Sequence, residues 1–166
     1  MANDADSLAA QVAALANTGS FDALCRLFAS APVTTLTPPL LLEKARAIQL
    51  AGDSAGLTLD DARSSIRQAT MLAPHIPDAW IELGHFYFAV DDDAAQALVA
   101  FHHARACMKP GVVSNDLTLG EAKALVEAGR SREALALVDV FPAKEASAEL
   151  LQLHKELVEL NSREVR

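Results

Sequence analysis

The chain is expected to fold as an all-α protein. Ala and Leu, the strongest helix formers, dominate its 166 residues, and runs of β-branched residues are scarce. Hydrophobic residues make up 51% of the chain, enough to fill a core, so a disordered chain is not expected. A chain of 166 residues corresponds to about one domain.

Apolar spacing and chain breakers set out the helices in order. Residues 5–17 form the first, with Leu8, Val12 and Leu15 on one face, and Asn17-Thr18-Gly19-Ser20 breaks it. A second, near 21–30, buries Phe21, Leu24, Leu27 and Phe28. The stretch 31–39, with Pro32, Pro38 and Pro39, reads as a linker held extended by its prolines. The third helix starts near Pro39, where Pro suits a first turn, and ends at Gly52. A loop running at most from Asp53 to Leu59 leads to the fourth. That helix opens on Asp60 and Asp61, whose charges suit a helix N-terminus, and stops before Pro74. The fifth spans about 77–90 from Pro77 and Asp78. The sixth spans about 93–108. The run Asp91-Asp92-Asp93 caps its start, and Pro110 and Gly111 close it. The seventh spans about 113–128 and ends at Gly129, the eighth about 131–140 before Pro142, and the ninth about 144–161.

An order of small, aromatic and proline residues recurs along these helices. Ala62-x-x-x-Ile66-x-x-Ala69 precedes Pro74. Trp80-x-x-Leu83-Gly84-x-x-Tyr87 comes next, and Ala97, Phe101, Ala104 and Pro110 follow. This order resembles the tetratricopeptide repeat (TPR), a helix–turn–helix unit of about 34 residues. With Trp80 at position 4 of the repeat, Gly84 falls at position 8 and Tyr87 at 11. With Gly52 at position 15, Ala45 falls at 8 and Ile48 at 11; with Gly129 at 15, Ala122 falls at 8, Leu125 at 11 and Ala134 at 20. The string Gly129-Arg130-Ser131-Arg132-Glu133-Ala134-Leu135 is especially similar to the family. The position-20 alanines, Ala62, Ala97 and Ala134, recur slightly more widely than the family's period, a difference that loops can absorb.

The resemblance implies a TPR-like α-α superhelix, a right-handed solenoid of antiparallel helix pairs. Three repeats would cover 39–142, and residues 1–38 a helical hairpin and Pro-rich linker that is a weaker fourth match. Residues 143–166 would supply a capping helix and tail. Three features depart from the family: an insertion after Gly52, Thr118 in place of the position-4 aromatic, and Phe141 where a small residue is usual.

Such repeats imply a non-catalytic protein–protein interaction module that binds a peptide or partner helix in the concave groove of the A helices. The family's ligand-facing positions fall here on Leu42, Ile81 and Leu119 at position 5, and on Glu43, Glu82 and Gly120 at position 6. Position 9 holds Arg46, His85 and Lys123, and position 12 holds Gln49, Phe88 and Val126; position 13 holds Leu50, Ala89 and Glu127. A cationic row beside an apolar row suits a partner with acidic or carboxylate groups and a few apolar anchors. If His85 meets such a ligand, binding should strengthen below about pH 6.5. The plainer reading makes Glu43–Arg46 and Glu82–His85 i,i+3 pairs on their own helices. TPR proteins that grip a chaperone's C-terminal carboxylate use Lys and Asn at positions 5 and 9 and basic residues at 2 and 6. Position 5 is apolar here, and position 2 holds Pro39, Asp78 and Asp116, so that clamp is not expected.

Other signals are weaker. A net charge of −8 disfavours nucleic acid as a partner. Cys25 and Cys107 match no zinc or redox spacing and are expected to be reduced, which fits a cytoplasmic protein. The acidic N-terminus lacks the pattern of a signal peptide, and no apolar run approaches about 18 residues, so neither export nor a membrane span is expected. Glu82-Leu83-Gly84-His85 has one copy of a di-metal spacing where two are needed. The side chains of His102 and His103 point about 100° apart on a helix and do not easily share an ion. No catalytic, metal or cofactor residues are expected. In the last helix, Leu150, Leu153, Leu157 and Leu160 form a seam that either caps the array or pairs two copies as a homodimer or scaffold. In length and acidity the chain is also similar to the small cytoplasmic chaperones of type III secretion, a likeness of size and architecture alone.

Overall fold

In the computed structural model, which describes residues 2–52 and 55–164, the chain is all-helical: no strand occurs among the described residues. It divides into two compact units, residues 1–75 and 76–166.

The first unit holds α1 (Ala2–Asn17), α2 (Phe21–Ser30), α3 (Pro38–Ala51) and α4 (Leu59–Leu72). Each helix packs on the next, and α1 also reaches α3. Its core is Leu8 and Val12 of α1, Leu24, Cys25 and Phe28 of α2, Leu41 and Ile48 of α3, and Ile66 of α4. Phe21 and Leu27, expected inside, are only half-buried. The proline-rich segment 31–39 is not extended throughout: a short 3-10 turn, Val33–Thr35, forms within it, and α3 begins one residue early at Pro38. The expected loop after Gly52 includes Asp53 and Ser54, which lie outside the described residues.

Helix α4 starts on a capping box rather than on acidic charge alone. The Thr58 backbone N–H donates to Asp61 Oδ2 at 2.8 Å, and Thr58 Oγ1 donates to the same oxygen at 3.0 Å. These bonds favour the ionised carboxylate and hold the Asp61 carboxyl below its ordinary pKa of 3.8.

The second unit holds α5 (Pro77–Ala89), α6 (Ala94–Cys107), α7 (Asn115–Glu127), α8 (Ser131–Asp139) and α9 (Ala148–Glu164). Here α5 pairs with α6 and α7 with α8; α7 also packs on α5 and α6, and α9 packs on α7 and α8. Caps fix the starts. Asp93, the last of the acidic run, accepts from the Gln96 N–H at 2.9 Å, and Ser114 caps α7 through the Leu117 N–H. Arg130 forms two 2.7 Å bonds with Glu133 in the first turn of α8, which lower the Glu133 carboxyl pKa and raise that of Arg130. Gly19, Gly52 and Gly129, all placed by sequence at a helix end, share the left-handed φ of 66°, 67° and 72° that a non-glycine residue adopts at a cost.

The ends of α8 and α9 also differ from expectation. Helix α8 ends at Asp139, so Phe141 lies in the following turn, half-buried, and not at a helix crossing. Helix α9 begins at Ala148 because 143–147 is held otherwise. Asn115 donates from Nδ2 to the Glu145 carbonyl at 2.7 Å and accepts the Ser147 N–H at 2.6 Å.

The tightest approach in the second unit is built around Phe101, which is fully buried on α6. A Cβ on Gly84 of α5 would stand 2.5 Å from its ring, and a Cβ on Gly120 of α7 would stand 2.7 Å from it. Both glycines therefore let a helix close onto the same ring. Gly120, which the repeat register assigns to a ligand-facing position, is buried instead.

Two predictions follow from this architecture. Gly84→Ala is expected to lower stability by about 1–2 kcal/mol, because overpacking outweighs the gain in helix propensity. In a denaturant double-mutant cycle, Phe101→Leu should relieve part of that loss; strictly additive effects would count against the contact. Asp61→Ala should cost about 1 kcal/mol at pH 7 by removing the capping box. Since the folded pKa of Asp61 is lowered, its contribution is full above pH 3.8 and fades as the pH falls towards the folded value. Melting curves of wild type and variant should therefore converge in acid.

Candidate functional site

The residues expected to face a ligand come from both units. In the first, Leu42 and Glu43 are half-buried on α3 and Arg46 is exposed. Arg46 Nη1 bonds Glu43 Oε1 at 2.7 Å, the i,i+3 pair anticipated as the plainer reading.

In the second unit, Ile81 is buried at 9% exposure within the apolar core, so its side chain belongs to the helix joint and not to an open surface. Phe88, Leu119 and Val126 are half-buried and pack against that core from its edge. Glu82 is half-buried and Lys123 exposed. His85 reaches across from α5 to α7: its Nε2 lies 2.9 Å from Asp116 Oδ1, and its ring meets Phe101 of α6 edge-on at 5.2 Å. Asp116, set aside as lacking the family's basic character, is thus the partner of a residue in the cationic row.

Leu119 and Lys123 share one feature, a shallow recess of about 390 Å³ between α7 and α9. Ala148, Glu149, Gln152, Leu153 and Glu156 of α9 complete its lining. Leu153 lies half-buried in the recess, and Glu149 and Glu156, at i−4 and i+3 from it, occupy the same stripe of α9. Gln152 Nε2 donates to Glu156 Oε1 at 2.8 Å. Among the described residues, Lys123 has no carboxylate within ion-pair reach.

The leucine seam divides between two environments. Leu150 and Leu157 are buried in the unit's own core, and that burial takes them out of any seam between two copies. Leu153 lines the recess, and Leu160 is exposed.

Sequence reasoning missed the cluster around Glu121. This carboxylate is buried on α7, with Arg105 of α6 donating to Oε2 from Nε at 2.9 Å and His102 Nε2 lying 3.3 Å from Oε1. Spacings of 16 and 19 residues carry no helical signal, so only the helix crossing brings these groups together. His103, next in sequence, turns to stack on Trp80 with centroids 4.5 Å apart, so the adjacent histidines diverge as their helical spacing requires. Among the described residues, no group of three or more His, Cys, Asp or Glu side chains could hold a metal ion. Cys25 is buried, and burial, with Asp22 nearby, pushes its thiol pKa up, away from the reactive thiolate. No helix among the described residues is long and apolar enough to cross a membrane.

No model of a known protein family matches the chain, and a search of curated proteins finds no similar sequence.

The Glu121 cluster leads to a stability prediction. Arg105→Met strands a buried carboxylate and should cost about 2 kcal/mol, less than for a fully enclosed pair because Arg105 is partly exposed. Adding Glu121→Gln should recover most of it. Urea denaturation of the two variants decides the matter, since equal losses would mean that the carboxylate does not need its cation.

Proposed function

We propose that this chain is a non-catalytic interaction module of the tetratricopeptide type. Each unit would form a stretch of right-handed α-α superhelix that holds a peptide or partner helix against its A-type helices, α3, α5 and α7. The observation that carries the reading is the burial of small residues at the repeat's crossing positions. Ala45, Gly84 and Ala122 at position 8 are buried. Ala62, Ala97 and Ala134 at position 20 have no exposed surface, and neither do Ala69 and Ala104 at position 27. Helix pairs that close at small side chains, stacked pair on pair, are the unit from which such arrays are built.

Two further observations favour binding over catalysis. The His85–Asp116 and His102–Glu121 contacts join one helix to another, and the His154–Asp139 pair shares a small recess with the apolar side chains of Val138, Phe141, Leu150 and Leu151, whereas an enzyme brings an acid, a base or a nucleophile together around a bound substrate. The exposed side of α5 and α7 also carries Phe88, Leu119 and Val126, half-buried apolar groups beside charge, the mixture that peptide grooves use.

The test compares wild type with a Leu119→Ser/Lys123→Glu variant in pull-downs from extract of the source cells, after circular dichroism has shown equal helix content. A protein held by wild type and released by the variant is the expected result. A partner retained by both would move the interface to another face and sink the groove reading.

A further inference from the structure

We infer that the recess between α7 and α9 takes a segment of a partner protein that presents a Lys or Arg side chain next to an apolar residue, and not an acidic segment. The inference rests on the groove reading above and adds the sign of the ligand's charge. The recess has an apolar floor, Leu119 from one helix and Leu153 from the other, both half-buried and within reach of a side chain lowered between the helices. Its volume of about 390 Å³ accommodates one or two large side chains and not a whole helix.

Charge then selects among apolar ligands. Glu149 and Glu156 flank Leu153 on one wall, and Lys123 stands on the other. Two carboxylates face one ammonium, in a chain whose net charge is −8. A ligand cation laid along α9 meets both carboxylates, while its neighbouring apolar side chain covers Leu119 and Leu153. A ligand carboxylate gains Lys123 but approaches the two glutamates. The other cations of the expected basic row already have carboxylate neighbours, Glu43 for Arg46 and Asp116 for His85. An acidic ligand would therefore compete with the protein's own carboxylates at Arg46 and His85, and at Lys123 it would approach Glu149 and Glu156.

The probe is a random twelve-residue peptide library displayed on phage, panned against the full chain. The expected outcome is enrichment of peptides with Lys or Arg beside Leu, Ile or Phe. A synthetic copy of an enriched peptide should bind the Glu149→Gln/Glu156→Gln variant about three- to tenfold more weakly, the effect of losing two exposed ion pairs. Raising the salt should shrink that difference. Both substitutions are isosteric and at the surface, and equal melting temperatures will show that the fold is intact. Enrichment of Asp- or Glu-rich peptides whose binding is lost in Leu119→Ser overturns the charge assignment and leaves the groove reading standing. Peptides whose binding is indifferent to Leu119→Ser, or no enrichment at all, overturn both.

Discussion

The Phe101 ring sets the geometry of the second unit. It is held where a Cβ on either Gly84 or Gly120 would overlap it, so α5 and α7 both take their distance from α6 from one side chain. Ordinary core contacts tolerate repacking, because a neighbour can usually shift by a few tenths of an ångström. A ring flanked on two sides by backbone has no such latitude. The same closeness brings the His85 ring edge-on to Phe101 and within 2.9 Å of Asp116, so a surface histidine–carboxylate contact takes its geometry from a buried one. It also sets α7 beside α5, which fixes the wall that α7 contributes to the recess.

Polar groups between helices then secure what the small residues allow. Glu121 is a buried carboxylate, and burying one is costly unless a cation answers it. Arg105 does so from α6, with His102 beside it. Asn115 ties the start of α7 to the chain entering α9 through two backbone bonds, and His154 Nε2 lies 2.7 Å from Asp139 Oδ1 where α9 crosses α8. Apolar burial is indifferent to register, whereas these pairs are not. Sliding α9 by one turn would move His154 about 5.4 Å from its partner. The leucines of α9 supply much of its attachment and the polar ties supply its position.

What the sequence disclosed follows from what is local. Most helices and several of their ends are legible because glycine, proline and capping residues act within a turn, and the small residues at positions 8 and 20 of the repeat register are all buried. The errors lie where distant segments meet. Gly120 was assigned to an exposed face by position within the repeat, and its true constraint comes from Phe101, some twenty residues away in sequence. Ile81 was assigned likewise and instead fills the core. Helix α9 was begun too early because helix propensity favours residues 144–147, and nothing local shows that Asn115 holds them in another conformation. The seam of leucines was visible, but only the contacts of α9 with α7 and α8 separate Leu150 and Leu157, which stay inside, from Leu153, which lines the recess.

Charge shows the same division between what a residue is and what its neighbours make of it. Arg46, His85 and Lys123 form a basic row when read by repeat position. In the folded chain a carboxylate stands 2.7 Å from the first and 2.9 Å from the second, and two more share a recess with the third. Arg46, so paired, contributes little field of its own beyond the pair, and solvent and salt reduce it further. The potential that reaches an approaching chain is then set by the carboxylates in excess, in keeping with a net charge of −8. In the binding mode proposed above, the apolar side chains between α7 and α9 would give a partner something to bury, and the surrounding acid would govern which partners approach. Selectivity would then depend more on the partner's charge than on the shape of so shallow a recess.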